Sequence, residues 1–156
     1  MARKLILIVA LSTILSGCQH AQTVKPSAPP VPAQLGKIVK EKADKHAVPP
    51  ELAAAVIQTE SKWQPSVRGL AGEYGLMQIK CPTARGEGFT GSCRELFDPN
   101  TNAEYGVRYL RRALDNANGD WCHAATLYNR GVYAIPKKSQ YCDTVVTLAR
   151  QFAPVR

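Results

Sequence analysis

The stretch LAAAVIQTESKW (residues 52–63) has the spacing of an amphipathic helix but places an acidic residue on its apolar face. Leu52, Val56, Glu60 and Trp63 recur at a helical period and share one stripe. A carboxylate there is paired with an arginine, lies where the helix leaves the core, or is kept from ionising by apolar surroundings. In the last case Glu60 would hold a proton near neutral pH and could act as a general acid.

The rest of the chain favours a single all-α domain. Proline-containing start signals at residues 49–50 and 98–100 precede two of the predicted helices. Alternating strand patterns are nearly absent, and glycines gather at residues 68–75 and 86–91, where we expect loops. The predicted helices span residues 35–47, 50–62, 76–86, 100–116, 120–130 and 140–152.

Composition excludes little but points to an anionic partner. The 156 residues are 45% apolar and 21% charged, as in an ordinary globular protein, and the formal charge is +8. Nucleic acid, anionic lipid and an acidic cell-wall polymer all fit that charge. The basic residues are scattered rather than grouped in a Lys/Arg-rich run, so we do not expect a nucleic-acid partner.

The N-terminus reads as a processing signal. Arg3 and Lys4 precede the apolar stretch LILIVALSTIL (residues 5–15), which is too short for a comfortable membrane span. LSGC (residues 15–18) follows directly and resembles the bacterial lipobox, in which the cysteine is lipidated. We therefore expect a signal peptide over residues 1–17 and a membrane anchor on Cys18. The alternative is an ordinary signal peptide with an unmodified cysteine.

The anchor and the globular part are separated by a proline-rich segment. Residues 18–34 contain four prolines and few large apolar side chains, which is typical of an extended tether. At ~3 Å per residue this tether could reach about 50 Å from the membrane. Because Gln19 rather than Asp follows Cys18, resemblance to Gram-negative lipoproteins implies the periplasm and the inner leaflet of the outer membrane. The globular domain is expected over residues 35–156.

With Cys18 set aside, four cysteines remain. An exported chain is oxidised, so two disulfides are expected, and sequence alone permits three connectivities. We favour Cys81–Cys93 and Cys122–Cys142, because each pair then lies within its own half of the domain. The chain has no CxxC motif, so we expect neither a metal nor a cofactor.

Two further stretches are open to more than one interpretation. GEYGLMQI (residues 72–79) places the amide of Gln78 among apolar residues, where it could face a cleft or satisfy loop backbone. ATLYNRG (residues 125–131) ends a predicted helix with Tyr128 and Asn129 before a glycine, which is also ordinary helix-ending chemistry.

Taken together, ESKWQP, AGEYGLMQI, DPNTNAEYGVRYL, ATLYNRG and SQYCDTV resemble the Slt-type lytic transglycosylase domain over residues 37–150. The resemblance implies an α-rich, lysozyme-like fold that cleaves peptidoglycan. It also implies that Glu60 is the catalytic acid and then the base, giving 1,6-anhydro products. Met77 and Gln78 would line the sugar cleft, Tyr128 and Asn129 would lie near the scissile bond, and Tyr141 would form part of its far wall.

The chain departs from the family pattern at three places. Gly69 stands where serine is frequent, and Glu73 where alanine is frequent. IKCPTA (residues 79–84) has a displaced proline beside Cys81, which we interpret as adaptation to a disulfide. We expect Glu73 to face solvent. If its carboxylate instead reaches the cleft, an alternative function is a lysozyme-type hydrolase that uses Glu60 and Glu73. A non-catalytic peptidoglycan-binding lipoprotein is a further alternative, and a cell-envelope machine as partner is left open.

Overall fold

The computed structural model describes residues 27–135 and 138–154, and it confirms the all-α fold class. A 3-10 helix and one small β-hairpin accompany the α-helices of the described chain. The helices are α1 (Ala33–Lys45), α2 (Pro50–Glu60), α3 (Cys81–Gly86), α4 (Pro99–Asn116), α5 (Trp121–Arg130) and α6 (Gln140–Phe152), with the 3-10 helix at Cys93–Phe97; the strands are β1 (Glu73–Tyr74) and β2 (Ile79–Lys80).

Side-chain caps define the start of the three C-terminal helices. Asp98 accepts a hydrogen bond from the Thr101 backbone N–H at 2.8 Å before α4. Asp120 does the same for His123 at 2.7 Å before α5, and Ser139 precedes α6. Each cap satisfies one of the backbone donors that a helix start leaves free, and is typically worth about 1 kcal/mol.

Helix α2 lies at the centre of the domain, packed between α6 and α1. Its residues Leu52, Val56 and Ile57 are fully buried, as the apolar stripe predicted. Each such side chain contributes roughly 1.5–3 kcal/mol through removal of apolar surface from water. Burial therefore fixes the whole of α2, including Glu60 at its C-terminal end.

The predicted helix over residues 76–86 is wrong in its first half. Residues 75–78 instead form the turn of a hairpin, in which Glu73 pairs with Lys80 and Tyr74 with Ile79. Helix α3 begins only at Cys81, after the extended N-cap Lys80, and Pro82 lies in its first turn, where the missing backbone N–H costs no helical hydrogen bond. Gln78, at φ +44°, is also held in the left-handed region that interrupts a helix.

Both favoured disulfides are present. Cys81–Cys93 joins the start of α3 to the 3-10 helix, and Cys122–Cys142 joins α5 to α6. The first closes a loop of 12 residues beside the hairpin, and the second spans 20 residues between the two C-terminal helices. The second bridge therefore holds α5 against α6, the helix that packs on α2.

The described residues include only part of the predicted N-terminal segments. The signal peptide and Cys18 lie outside the described residues, and so does the first half of the predicted tether. Residues 27–32 form no regular secondary structure, and α1 begins at Ala33, two residues before the predicted domain start. In the described part of the chain, every helix is too short or too polar to cross a membrane.

Candidate active site

A cavity of about 400 Å³ opens where α2 ends against the hairpin, α4 and α5. Its wall combines two carboxylates, two cations and several groups that can exchange hydrogen bonds with a ligand. The lining residues are Glu60, Glu73, Gln78, Ile79, Lys80, Thr83, Tyr109, Tyr128, Asn129, Arg130 and Gly131. Four of the predicted site residues, together with Glu60, are thus brought to one place.

Glu60 is the last residue of α2 and is half-buried. Burial raises the pKa of its carboxyl group above the ordinary value of 4.5, and the charge of Glu73 raises it further. Its place at a helix C-terminus, where carbonyl groups concentrate negative potential, also disfavours the ionised form. The backbone then turns sharply, since Lys62 and Trp63 have φ of +51° and +65°.

Two tyrosines form hydrogen bonds at the site, one to Glu60 itself and one to the hairpin turn. Tyr141, on α6, donates a hydrogen bond from its hydroxyl to Glu60 Oε1 at 2.6 Å. This bond acts against burial and lowers the pKa of Glu60. Tyr128, on α5, is buried and donates to the backbone carbonyl of Met77 at 2.7 Å. Burial raises the pKa of both tyrosines well above 10.0, so both remain donors at neutral pH.

Gln78 combines the two roles that sequence left open. Its side-chain amide donates to the backbone carbonyls of Val67 at 3.1 Å and Gly75 at 2.8 Å, which ties the hairpin turn to the preceding loop. The residue also lines the cavity. Because both amide hydrogens are used by the loop, the oxygen is the part of the side chain left to accept a hydrogen bond from a ligand.

Glu73 lines the cavity, whereas the sequence led us to expect that it faces away into solvent. Its side chain is partly exposed, at 23% of the maximal accessible surface. Hydrogen bonds from its own backbone N–H, from Lys80 (Nζ at 3.4 Å) and from the Ala71 N–H lower its pKa, so it is ionised at neutral pH. A Cβ at Gly69 would lie 2.2 Å from Glu73 Oε2, so glycine at position 69 leaves the space that this carboxylate occupies.

Met77 is not placed as predicted. Its side chain is fully buried and packs over Gly106 of α4, so it does not line the cavity. Only its backbone contributes, by accepting the Tyr128 hydrogen bond. Tyr141 lies at the site through its hydrogen bond to Glu60, and its place in the far wall stays a prediction. Asn129 lines the cavity as an exposed side chain.

Sequence reasoning missed several site residues. Tyr109 lines the cavity and packs against the Tyr128 ring, with centroids 5.2 Å apart. Asn102 lies behind the hairpin, is fully buried, and makes three hydrogen bonds to backbone groups. Both belong to α4, next to an apolar stripe that recurs at helical spacing in the sequence: Ala103, Val107, Leu110 and Leu114. Their helical spacing beside that stripe was the available signal.

The described residues offer no metal centre. Within residues 27–135 and 138–154, His, Cys, Asp and Glu side chains do not assemble in groups of three or more that could hold an ion. The chemistry available in the cavity is that of one carboxyl group with a raised pKa, one ionised carboxylate, two cations and hydrogen-bonding groups. Such a set suits proton transfer to and from a polar ligand.

Comparison with known families matches this chain to the transglycosylase SLT domain over residues 37–145. The chain belongs to this family. The matched region runs from within α1 to within α6 and contains every residue that lines the cavity.

Curated relatives of this SLT-domain protein carry related names. Membrane-bound lytic murein transglycosylase C of Haemophilus influenzae (strain PittEE) is 32% identical over 80 residues, covering 47% of this chain and 22% of the relative. The transglycosylase of Enterobacteria phage PRD1 is 38% identical over 82 residues, covering 53% of this chain and 29% of the relative. The chain thus matches only about a fifth to a third of these relatives.

Solved structures agree on the fold. The 70 kDa soluble lytic transglycosylase of Escherichia coli superposes with a TM-score of 0.58 at 25% identity, covering 74% of this chain and 19% of that one. An inactive Glu-to-Gln variant of lytic transglycosylase Slt from Pseudomonas aeruginosa gives the same TM-score at 22% identity, over 72% of this chain and 20% of that one. The SLT-domain protein therefore has the lysozyme-like, helix-rich fold that its sequence predicted.

Proposed function

We propose that this SLT-domain protein is a lytic transglycosylase. It would cleave the β-1,4 bond between N-acetylmuramic acid and N-acetylglucosamine in peptidoglycan without consuming water. The observation that carries the proposal is Glu60, a carboxyl group in a cavity wall whose pKa is raised by burial and which accepts a hydrogen bond from Tyr141. Family membership and the names of the relatives support the same reaction.

The first step needs a proton on the leaving oxygen. Protonated Glu60 donates its proton to the glycosidic oxygen, the bond from that oxygen to the muramic acid C1 breaks, and the N-acetylglucosamine end departs as an alcohol. The carbonyl oxygen of the muramic acid N-acetyl group stabilises the positive C1. The hydroxyl of Tyr141 stabilises the carboxylate that Glu60 becomes, since hydrogen bonds to an ionised group are the stronger ones.

In the second step Glu60 acts as a base. Its carboxylate removes the proton from the 6-hydroxyl of the same muramic acid while O6 attacks C1, which closes a 1,6-anhydro ring and returns Glu60 to its protonated form. The reacting hydroxyl belongs to the sugar already bound, so the step is intramolecular and needs no second substrate. Gln78 and Asn129 lie in the same cavity and are the residues we assign to holding the sugar, with Tyr128 supporting the wall.

The test is Glu60→Gln, which removes the transferable proton and keeps the shape of the side chain. Release of muropeptides from purified sacculi should fall by at least about 10²-fold, the usual cost of a lost general acid. Folding should be unharmed. The raised pKa means that Glu60 favours the folded state below pH 4.5 and loses that contribution as pH rises through its folded value. At neutral pH the amide should therefore unfold at the same or a higher temperature.

Residual turnover of Glu60→Gln within about tenfold of the wild type would contradict the assignment. A variant that fails to fold would be recognised by its thermal unfolding curve. Binding of glycan fragments should persist, because Gln78 and Asn129 are untouched.

A second function deserves testing because Glu73 is ionised and lines the same cavity. In a hydrolase this carboxylate would activate water or brace the positive sugar. Glu73→Gln should then remove most activity. In a transglycosylase one carboxylate suffices, so the same substitution should lower activity only modestly and leave anhydro products.

We also propose where the reaction takes place. A lipid on Cys18 would hold the domain at the inner leaflet of the outer membrane, with the proline-rich segment as a tether to the wall. The LSGC motif supports this, and the Haemophilus influenzae relative is named a membrane-bound lytic murein transglycosylase. A periplasmic domain would also account for the two disulfides.

A further inference from the structure

Arg130 is a cation in the cavity wall, and within residues 27–135 and 138–154 it has no recorded acidic partner. It is the last residue of α5, lines the cavity and is exposed. Among the described residues its guanidinium makes neither an ion pair nor a side-chain hydrogen bond that the structure records. Its backbone belongs to a helix whose last turn is packed into the domain, because Leu127 and Tyr128 are buried.

The other charged groups of the cavity are already committed. Lys80 lies 3.4 Å from Glu73, and Glu73 also accepts the Ala71 N–H. Glu60 accepts the Tyr141 hydroxyl. Arg130 is therefore the cation of this wall that has no recorded acidic partner among the described residues, and a guanidinium is well shaped to receive a carboxylate through two parallel hydrogen bonds.

The substrate class proposed above carries such carboxylates. In peptidoglycan the stem peptide is attached to the lactyl group of the muramic acid, the sugar whose C1 must lie beside Glu60. The peptide must therefore leave the glycan close to the cavity, and its free carboxylates extend toward the rim. Arg130 is two residues from Tyr128, which supports that wall.

We propose that Arg130 is a specificity-determining residue that binds a carboxylate of the stem peptide, so that the enzyme prefers peptide-bearing glycan to bare glycan. This inference rests on the proposed function for its substrate class. It adds that the cavity recognises the peptide as well as the sugar. Because Arg130 is exposed, the contact is screened by water and salt, and we expect an effect of about fivefold rather than an all-or-none requirement.

A simpler role for Arg130 makes a different prediction. A cation in the last turn of a helix offsets the negative potential of the helix end, whatever lies in the cavity. In that role, replacement of Arg130 would lower thermal stability slightly. It would affect peptide-bearing and bare glycan equally.

The experiment measures binding rather than turnover, so it does not depend on the catalytic assignment. Three ligands are titrated into the full-length Glu60→Gln protein. They are glycan oligomers with intact stem peptides, the same oligomers stripped of peptide by an amidase and then amidated at the lactyl carboxylate that this releases, and oligomers whose stem carboxylates are converted to amides. The affinities are compared with those of Glu60→Gln/Arg130→Gln. Glu60→Gln/Arg94→Gln is the matched control, because it removes the same charge from an exposed residue outside the cavity.

We expect intact oligomers to bind about fivefold more tightly than stripped or amidated ones, and this preference to shrink as salt is added. The Arg130→Gln substitution should abolish the preference, and Arg94→Gln should preserve it. A preference that survives Arg130→Gln, or no preference in the parent protein, would overturn the inference. Failure of the proposed function would show instead as absence of binding to all three oligomers.

Discussion

In the reaction that we propose, Glu60 serves as an acid and then as a base, and its contacts balance the two requirements. Burial favours the protonated form, while the 2.6 Å hydrogen bond from Tyr141 favours the carboxylate. The tyrosine cannot itself take part as a base near neutral pH, because burial raises its pKa well above 10.0. The contact therefore sets how readily Glu60 releases and recovers its proton.

Tyr141→Phe tests this balance. Without the hydroxyl, the pKa of Glu60 should rise further, so the fall of kcat/KM on the alkaline side should move to higher pH. Turnover at the optimum should drop by about tenfold, because the carboxylate formed in the first step loses its hydrogen-bond donor, worth ~1.5 kcal/mol. The measurement is the pH profile of muropeptide release, with Tyr133→Phe, an exposed tyrosine outside the cavity lining, as the control.

A profile that stays in place, or moves to lower pH, would show that Tyr141 does not act on the Glu60 proton. A Tyr133→Phe profile that moves equally would point to a general effect of removing a tyrosine.

At the scale of elements, the hairpin carries the cavity residues Glu73, Gln78, Ile79 and Lys80, yet each of its strands has only two residues. Such a short hairpin is not stable by itself. Asn102 of α4 supplies what is missing. Its side chain donates to the carbonyls of Tyr74 and Leu96, both at 2.7 Å, and accepts from the Met77 N–H at 2.8 Å.

Asn102→Ala should therefore weaken both stability and activity. Three buried backbone groups would lose their partner, and each costs about 1–3 kcal/mol, so we expect a loss of roughly 3 kcal/mol or more in the free energy of unfolding. Denaturant unfolding measures it. Asn116→Ala is the control, because Asn116 makes one recorded hydrogen bond, to the Val132 carbonyl, and should cost about 1 kcal/mol.

Equal losses for the two asparagine variants would show that Asn102 does not organise the hairpin. Retention of full activity in Asn102→Ala would show that the hairpin holds its cavity residues in place without it.

The helices could be predicted from sequence because their signals are local. Apolar spacing located α2 and α4, and the prolines at their starts fixed where they begin. The hairpin was missed because its stability comes from Asn102, which lies 25 residues beyond Met77, and no local pattern reports a contact at that distance. A run of apolar residues at 76–79 also fits a helix as well as a strand.

Glu60 could be predicted as a site residue because it is an acidic residue that interrupts an apolar stripe. The direction of the Met77 side chain was not visible, because a methionine in a motif reads the same whether it lines a cleft or fills the space above Gly106. The position of Glu73 depended on the absence of a side chain at Gly69, which no spacing rule records.

We propose that the whole molecule consists of a wall-cleaving domain tethered to a membrane anchor on Cys18, which lies outside the described residues. Cys18→Ser should prevent lipidation and release the protein from the membrane fraction, because the thiol is the atom that receives the lipid. Metabolic labelling with palmitate and fractionation of cells measure both effects. The activity of the purified domain should be unchanged, since α1 begins 15 residues later.

Palmitate incorporation that persists in Cys18→Ser would contradict the anchor. Cys81→Ser does not serve as a control, because that cysteine belongs to a disulfide beside the cavity.

The central claim is that the sugar's own hydroxyl, and not water, completes the reaction. Mass analysis of the fragments that the wild-type protein releases from purified sacculi tests it most directly, because an anhydro end is lighter than a reducing end by one water. We expect fragments that end in 1,6-anhydro-N-acetylmuramic acid. Fragments with reducing ends would contradict it and would assign the reaction to Glu60 and Glu73 acting together on water.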